Sequence, residues 1–574
     1  MPHSRGGGER ILGTSREWRE KEPGTEKGTS RLGSPPEHKV QSTAHTSSME
    51  SHRPSRSLFS ELPTEIISLI LGHFCFHCRE ASGNLYASFP VGAKQQPCWY
   101  SIDCQALYSI CLLSTRFRDL AQPILYHQFA PGCGRSWNRD GSQWTRRFLP
   151  FLRTVALRPD LAAQVRRLYI TQWFITCIIR GNAMSEAEAT LKQVSQARGF
   201  QLSEFIQPFQ LLGKSGHGPS RHWPYAMESL GMLLACLSKL NHISFSTLPY
   251  IACVPPDALR AAGVSSIPTQ TLDITDGFSS PLSHTILELA SSTLQTLNID
   301  SYSGEQLVAL PSPPVPSLKH ICITQLTHAV ISPDDLAIFL SRCTGLERFT
   351  YEHGKSSPVF IGRHLSLRPT PVYMYTAKLS IYRDFLNSNA VEQLLQHKAT
   401  LQALHLDVRI SPRDDRWHNT KQSKVSPDLL TALPTFPMLQ HLFLNTLLIY
   451  TSSDNDTTQG PESHDNLLTD ILPQSVVSLK LANNYRTIDP KISARLSSSL
   501  VGLARAVERG QFRYLKSVYC DLAQELEGSV AEAFESVGVE FGYACWPFLG
   551  GAPRRRLLDE PVDILWLAGD EYGG

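Results

Sequence analysis

Large apolar residues are unevenly distributed along this chain of 574 residues. Residues 1–56 consist mainly of Ser, Gly, Pro and charged residues, with few large apolar side chains. Such a composition buries too little apolar surface to offset the entropy lost on ordering. We therefore predict that residues 1–56 are a disordered N-terminal region and that folded structure begins near Leu58.

The first strong periodic pattern lies in SLFSELPTEIISLILGHFC, which starts at Ser57. Pro63 and Glu65 are residue types favoured in the first turn of a helix. The apolar residues after them recur at helical spacing, at Ile66, Ile67, Ile70, Leu71 and Phe74. Leu69 lies outside this stripe. The helix therefore has more apolar residues than one buried face needs. This predicts one face for a core and a second apolar surface that is available to a partner.

Helical spacing resumes after an insert at about 79–103, which lacks periodicity. The next predicted helix carries an apolar stripe formed by Leu107, Ile110 and Cys111. Ser114 is positioned to cap a following short helix that carries Phe117. Pro123 is expected to end that helix or to begin another turn.

Together these patterns resemble the F-box, a three-helix module. The residues that match its motif are Leu62, Pro63, Glu65, Ile66, Ile70, Leu107, Leu112, Ser114, Arg116, Phe117, Arg118 and Leu120. The resemblance implies a helical module at 58–130 that docks on the Skp-type adaptor of cullin–RING ubiquitin ligases. It also implies the adaptor-binding residues, which are Leu62, Pro63, Ile66, Ile70, Leu112 and Phe117. The insert departs from most of the family, whose first two helices are joined by a few residues. The alternative interpretation is a helical cap on a repeat domain.

The rest of the chain repeats the phrase apolar-x-x-apolar-x-apolar. Its nine copies are Val165-Leu168-Ile170, Leu240-Ile243-Phe245, Leu294-Leu297-Ile299, Leu318-Ile321-Ile323, Leu346-Phe349-Tyr351, Leu401-Leu404-Leu406, Leu439-Leu442-Leu444, Val476-Leu479-Leu481 and Leu515-Val518-Cys520. Two weaker copies, Leu272-Ile274 and Leu379-Ile381, have Thr269 and Thr376 in the first position. The last two positions of each copy alternate, so each copy predicts a short strand with one buried side.

Between these copies lie segments with helix signals, such as SPDDLAIFLSRCTG and NAVEQLLQHK. From Leu240 onward the copies start 24–39 residues apart. A strand, a loop and a helix that recur at such intervals resemble a leucine-rich repeat. Leucine-rich repeats carry an Asn eight residues after the first Leu of the phrase. In this chain only Asn484 matches that position, so the array is irregular. We predict an α/β fold, a small helical F-box-like module followed by an irregular leucine-rich-repeat solenoid at 150–545. A mixed α/β domain is the alternative, and the C-terminal tail at 546–574 is expected to dock its VDILWL segment on the last repeat.

The strand positions that point away from the core are the predicted substrate-binding surface. They are mixed in charge and include an aromatic residue, which suits a protein partner better than a phosphate backbone. The alternative is a set of solvated strand faces. We expect substitutions there to have little effect on stability. The candidate residues are Asn298, His320, Arg348, Glu352, His405, Asp407 and Phe443.

Composition and motifs give little support to other chemistry. A net charge of +2 does not favour nucleic-acid or membrane binding. Cys75 and Cys78 form a CxxC pair that could bind zinc together with Cys98 and Cys104. The second pair is loosely spaced, so we predict buried thiols and no cofactor or metal. The 13 cysteines and the N-terminus, which lacks a secretory signal, indicate a cytoplasmic or nuclear protein.

These observations lead to a functional hypothesis. We expect a non-enzymatic substrate-recognition subunit of a cullin–RING (SCF-type) ubiquitin ligase. Its partners would be a Skp-type adaptor, through it a cullin, and an unknown protein substrate. Two alternatives remain: a repeat scaffold without a ligase role, and an enzyme with an unrecognised site in a mixed α/β domain.

Overall fold

A computed structural model describes 61–75, 77–78, 99–130, 141–170, 183–200, 223–246, 259, 263–275, 281–301, 314–325, 333–353, 388–407, 427–450, 466–482, 490–521, 526 and 528–544. The predictions for 1–56, for 79–98 and for 546–574 lie outside these residues. The chain divides into two compact units, Met1–Glu61 and Leu62–Gly574. All the elements named below belong to the second unit.

The fold is mixed α/β and is built on one parallel sheet of twelve strands. The strand order in the sheet equals the order along the chain. Each strand pairs in parallel with the next one. The strands are β1 (Gln128–Phe129), β2 (Arg167–Ile170), β3 (His242–Ser246), β4 (Thr271–Thr275), β5 (Thr296–Ser301), β6 (His320–Gln325), β7 (Arg348–His353), β8 (Ala403–Asp407), β9 (His441–Asn445), β10 (Ser478–Ala482), β11 (Ser517–Asp521) and β12 (Glu540–Tyr543).

Helices precede the sheet and lie between its strands. They are α1 (Thr64–Gly72), α2 (Trp99–Cys111), α3 (Thr115–Leu125), α4 (Gly141–Leu157), α5 (Pro159–Ala162), α6 (Ala183–Arg198), α7 (Trp223–Cys236), α8 (Pro281–Ala290), α9 (Pro333–Leu340), α10 (Ser388–Leu395), α11 (Pro427–Ala432), α12 (Thr446–Ile449), α13 (Leu467–Ile471), α14 (Pro490–Glu508) and α15 (Ser529–Ser536). A short 3-10 helix follows α11 at Leu433–Thr435. Among the described helices, none is both long enough and apolar enough to cross a membrane.

The strand register explains the repeated apolar phrase. Its middle apolar residues occupy equivalent positions on neighbouring strands, and each is at most 1% exposed. The predicted inward row is therefore confirmed, and it consists of Leu168, Ile243, Leu272, Leu297, Ile321, Phe349, Leu404, Leu442, Leu479 and Val518. All nine full copies of the phrase coincide with strands of the sheet.

One weaker copy of the phrase is confirmed, and the sheet also contains two strands that no copy predicts. The weaker copy at Leu272-Ile274 lies in β4, whereas Leu379-Ile381 lies outside the described residues. β12 was not predicted because Gly538, with a φ of +72°, stands where an apolar residue opens the other copies. β1 has two residues, too few to show an alternating pattern.

The first three helices form a small packed segment of their own. α1 and α2 both pack against α3, and Ile67, Leu71, Leu107, Ala121 and Ile124 are buried together. This segment leads directly into the sheet, because β1 pairs with β2.

Two helix boundaries in this segment differ from the prediction, and one is confirmed. The Ser114 side chain accepts a hydrogen bond from the Phe117 N–H at 3.2 Å, which confirms the predicted cap. Pro123 does not end α3. It lies in the last turn of the helix, which continues to Leu125. Residues 99–103, assigned to the insert, belong to α2, which begins at Trp99.

Candidate functional site

The three-helix segment displays an unusual amount of exposed apolar surface. Six of the eleven large apolar residues that are exposed in the described part of the chain lie in this segment. We call them the exposed helical set: Ile66, Leu69, Ile102, Tyr108, Leu112 and Leu113. Their exposed fractions range from 45% for Ile66 to 70% for Leu113. Because the segment already has its own buried core, these side chains are not needed to close it.

The six predicted adaptor-binding residues divide into two groups. Pro63, Ile66 and Leu112 are exposed, whereas Leu62, Ile70 and Phe117 are half-buried. Leu62 and Phe117 pack against the core of the segment. The Leu62 carbonyl also accepts a hydrogen bond from the Arg116 guanidinium at 2.6 Å, which holds the chain ahead of α1 against α3.

Four members of the exposed helical set were not among the predicted adaptor-binding residues. They are Leu69, Ile102, Tyr108 and Leu113. For Leu69 the sequence carried a signal, because it is apolar but lies outside the helical stripe. For Ile102 the sequence carried no such signal, because this residue was assigned to the insert rather than to a helix.

The second candidate surface is the side of the sheet opposite the inward row. A hydrogen-bonded network of buried polar side chains crosses three strands there. His242 Nε2 lies 2.7 Å from Asp273 Oδ2, and Asn298 Nδ2 donates to Asp273 Oδ1 at 3.0 Å. The three residues are at most 8% exposed. The polar groups of His242, Asp273 and Asn298 therefore satisfy one another.

A second buried group lies on the same side of the sheet at β7, β8 and β9. The ring of His405 stacks on Phe443 with a centroid distance of 3.8 Å and an interplanar angle of 6°. His405 Nε2 lies 3.2 Å from Glu352 Oε1. Ligand atoms of Glu352, His405 and Asp407 all lie within 4.8 Å of one another. An imidazole beside two carboxylates is suited to proton transfer or to binding a cation.

The predicted substrate-binding residues differ sharply in exposure. Arg348 is exposed and His320 is half-buried. Burial, followed by the nearby Arg348 charge, lowers the pKa of His320 and favours its neutral form. The Glu352 side chain is 12% exposed. The remaining four, Asn298, His405, Asp407 and Phe443, are at most 8% exposed.

The alternative of solvated strand faces is therefore wrong for these four residues. The strand alternation correctly places each of them opposite the inward row. However, a partner side chain on the neighbouring strand contacts three of them, as in the Asn298–Asp273 and His405–Phe443 pairs. These contacts depend on the strand register, which no single strand's sequence reveals.

The structure also brings cysteine and histidine side chains together at the end of α1. Ligand atoms of Cys75, His77, Cys78 and His127 all lie within 4.8 Å of one another. Cys78 Sγ is 3.3 Å from His127 Nδ1 and 3.8 Å from His77 Nδ1, and Cys75 Sγ is 3.7 Å from His127 Nδ1. We call these four residues the Cys/His cluster. Both cysteines are free thiols.

This grouping differs from the one considered for the sequence. Cys104 does not belong to the cluster, and Cys98 lies outside the described residues. His127 was missed because it lies 49 residues from Cys78 along the chain, beyond any local motif. A hydrogen bond from Cys75, together with those of His127 and His77, lowers the pKa of Cys78 and favours its thiolate.

Comparison with known proteins adds no family to this description. No protein-family model matches the chain, and no curated protein matches it. The exposed helical set, the polar side of the sheet and the Cys/His cluster are therefore interpreted from their own geometry.

Proposed function

We propose that this chain is a substrate-recognition subunit of a cullin–RING (SCF-type) ubiquitin ligase. The helical module predicted at 58–130 would act as an F-box that docks on a Skp-type adaptor and through it on a cullin. One observation carries the proposal: a three-helix segment that has its own core still exposes six large apolar side chains. An excess of exposed large apolar side chains on one small segment is typical of a protein-binding surface.

The physical reason for docking through this set is the apolar area that it leaves in water. Burying a Leu or Ile side chain stabilises a complex by roughly 1.5–3 kcal/mol. Leu69, Leu112 and Leu113 are each 69–70% exposed, so a partner that covered them would gain most of that amount. The half-buried Leu62 and Phe117 would then fix the shape of the docking face rather than supply its area.

We further propose that the sheet and its helices form an irregular leucine-rich-repeat solenoid that holds a protein substrate. The supporting observations are the parallel strands in chain order and the row of buried residues that continues from strand to strand. The substrate would contact the accessible positions on the polar side of the sheet, which include Arg348 and the half-buried His320, Cys322 and Thr350.

In this account the chain performs no bond chemistry itself. It holds a substrate close to a ubiquitin-transfer enzyme that belongs to other subunits, and so raises the effective concentration of the reacting groups. Such a role requires no cofactor in this chain, and it is exercised in the cytoplasm or the nucleus. The buried polar groups on the sheet would keep the strands in register.

A co-purification experiment with matched variants tests the adaptor proposal. The full chain would be mixed with a purified Skp-type adaptor and captured through a tag on the chain. Wild type should retain the adaptor. The double variant Ile66→Asp, Leu69→Asp should bind it with an affinity at least about tenfold lower, because two charges would replace apolar side chains that the complex buries. Ile338→Asp on α9 is the control, since Ile338 is 51% exposed but lies far along the chain.

The possible outcomes separate the hypotheses. Capture by wild type and by Ile338→Asp, with loss in the double variant, supports the F-box-like role. Absence of capture by wild type removes the ligase role and leaves the repeat-scaffold alternative. Equal capture by all three proteins would mean that the adaptor binds elsewhere on the chain.

A further inference from the structure

The Cys/His cluster has the dimensions of a tetrahedral metal site. A tetrahedral zinc ion has bonds of about 2.3 Å to sulfur and about 2.0–2.1 Å to nitrogen, which places ligand sulfur and nitrogen atoms about 3.6 Å apart. Three of the four sulfur–nitrogen pairs in the cluster are hydrogen-bonded, at 3.3, 3.7 and 3.8 Å. The spacing of these three pairs is therefore that of ligand atoms around one tetrahedral ion.

The types of ligand atom indicate which metal would bind. Two thiolate sulfurs and two imidazole nitrogens form a Cys2His2 set, which suits zinc and does not suit magnesium or calcium, since those prefer oxygen. Cys75 is buried, whereas His77, Cys78 and His127 are half-buried. The site thus combines a protected sulfur with a side through which an ion can enter.

We propose that Cys75, His77, Cys78 and His127 bind one zinc ion with a structural role. All four protein ligands would occupy the tetrahedral positions, leaving none open for catalysis. This inference is independent of the proposed ligase function, because it rests on the cluster alone.

The position of the cluster shows what the ion would hold together. Cys75 stands in the turn after α1, where its N–H donates to the Gly72 carbonyl at 3.0 Å. His127 lies between α3 and β1, and its carbonyl accepts hydrogen bonds from the N–H groups of Arg166 and Arg167 at 2.7 and 3.1 Å. The zinc ion would therefore connect the end of α1 to the start of the sheet.

This connection would add to the packing of a short helix. α1 has nine residues, of which only Ile67 and Leu71 are buried. Short isolated helices are marginal in water, and a metal site that forms only in the folded chain adds its binding energy to folding. Zinc would thus fix α1 relative to β1, and with it the direction in which Ile66 and Leu69 face.

Metal analysis of the purified full chain tests the proposal. The chain would be prepared without a histidine tag, dialysed against buffer with trace zinc and then against metal-free buffer. Wild type should retain about one zinc per chain, as a four-ligand site does. Cys78→Ser and His127→Gln should each lose most of it. Cys111→Ser is the matched control, because Cys111 is a free, half-buried cysteine outside the cluster, and it should retain the wild-type content.

A second measurement keeps the test valid if the ligand variants fail to fold. Wild-type chain reconstituted with cobalt should develop the visible absorption bands of tetrahedral cobalt with sulfur ligands, and added zinc should remove them. The proposal is wrong if the folded wild type binds neither metal after reconstitution. It is also wrong if Cys78→Ser retains full zinc.

Discussion

At the scale of single residues, the main result is that several side chains on the polar side of the sheet are as buried as those of the inward row. Leu442 belongs to the inward row and is 1% exposed. Its neighbour Phe443, on the opposite side of the sheet, is also 1% exposed. The alternation of a strand determines which side a residue lies on, but burial depends on what covers that side. Phe443 is covered in part by the stacked ring of His405.

Adjacent substitutions in β9 test this result. Leu442→Ala should lower the free energy of unfolding by about 2–5 kcal/mol and Phe443→Ala by about 3–5 kcal/mol, because each leaves a cavity in packed surroundings. Met438→Ala, just before the strand and 42% exposed, should change it by less than about 0.5 kcal/mol. Chemical denaturation of the three variants gives the comparison. A Phe443→Ala effect as small as that of Met438→Ala would show that the polar side of the sheet is solvated.

At the scale of elements, one repeat departs from the apolar phrase, and the departure lowers the stability of the fold. Thr269 stands in the first position of the copy that leads into β4, and it is 0% exposed. Its hydroxyl oxygen is buried without a hydrogen-bond partner. A buried polar atom without a partner costs about 1–3 kcal/mol. An apolar side chain of the same shape should therefore fit this position better.

Thr269→Val should raise the free energy of unfolding by about 1–2 kcal/mol, because it removes an unpaired hydroxyl and keeps the branched shape. Thr293→Val is the matched control. The Thr293 hydroxyl donates to the carbonyls of Ile267 and Thr269 at 3.1 and 3.0 Å, so its loss should lower stability by about 0.5–1.5 kcal/mol. Denaturation midpoints that shift in the same direction for both variants would contradict this explanation.

Elements with a local signal could be predicted from the sequence, and those defined by distant contacts could not. The Ser114 cap and the strands of the nine phrases follow from short patterns. β12 escaped prediction because Gly538 interrupts the phrase. The partners of Asn298, His405 and Cys78 come from other strands or from the far end of another helix, so only the folded chain brings them together.

At the scale of the whole molecule, the described part of the chain joins two kinds of surface. The three-helix segment carries exposed apolar side chains, and the sheet that begins at β1 carries polar groups on the side opposite its core. The proposed zinc ion would lie at the junction, between the end of α1 and His127. A rigid junction suits a protein that must hold one partner in a fixed direction relative to another.

Hydrogen exchange of the full chain, with and without a Skp-type adaptor, tests the central claim most directly. Peptides from 62–75 and 99–117 should exchange more slowly when the adaptor is bound, because the exposed helical set becomes covered. Peptides from β5 to β9 should exchange at unchanged rates, since that part of the sheet is left for a substrate. Unchanged exchange in α1 and α2 at a saturating adaptor concentration, or protection confined to the sheet, would contradict the account.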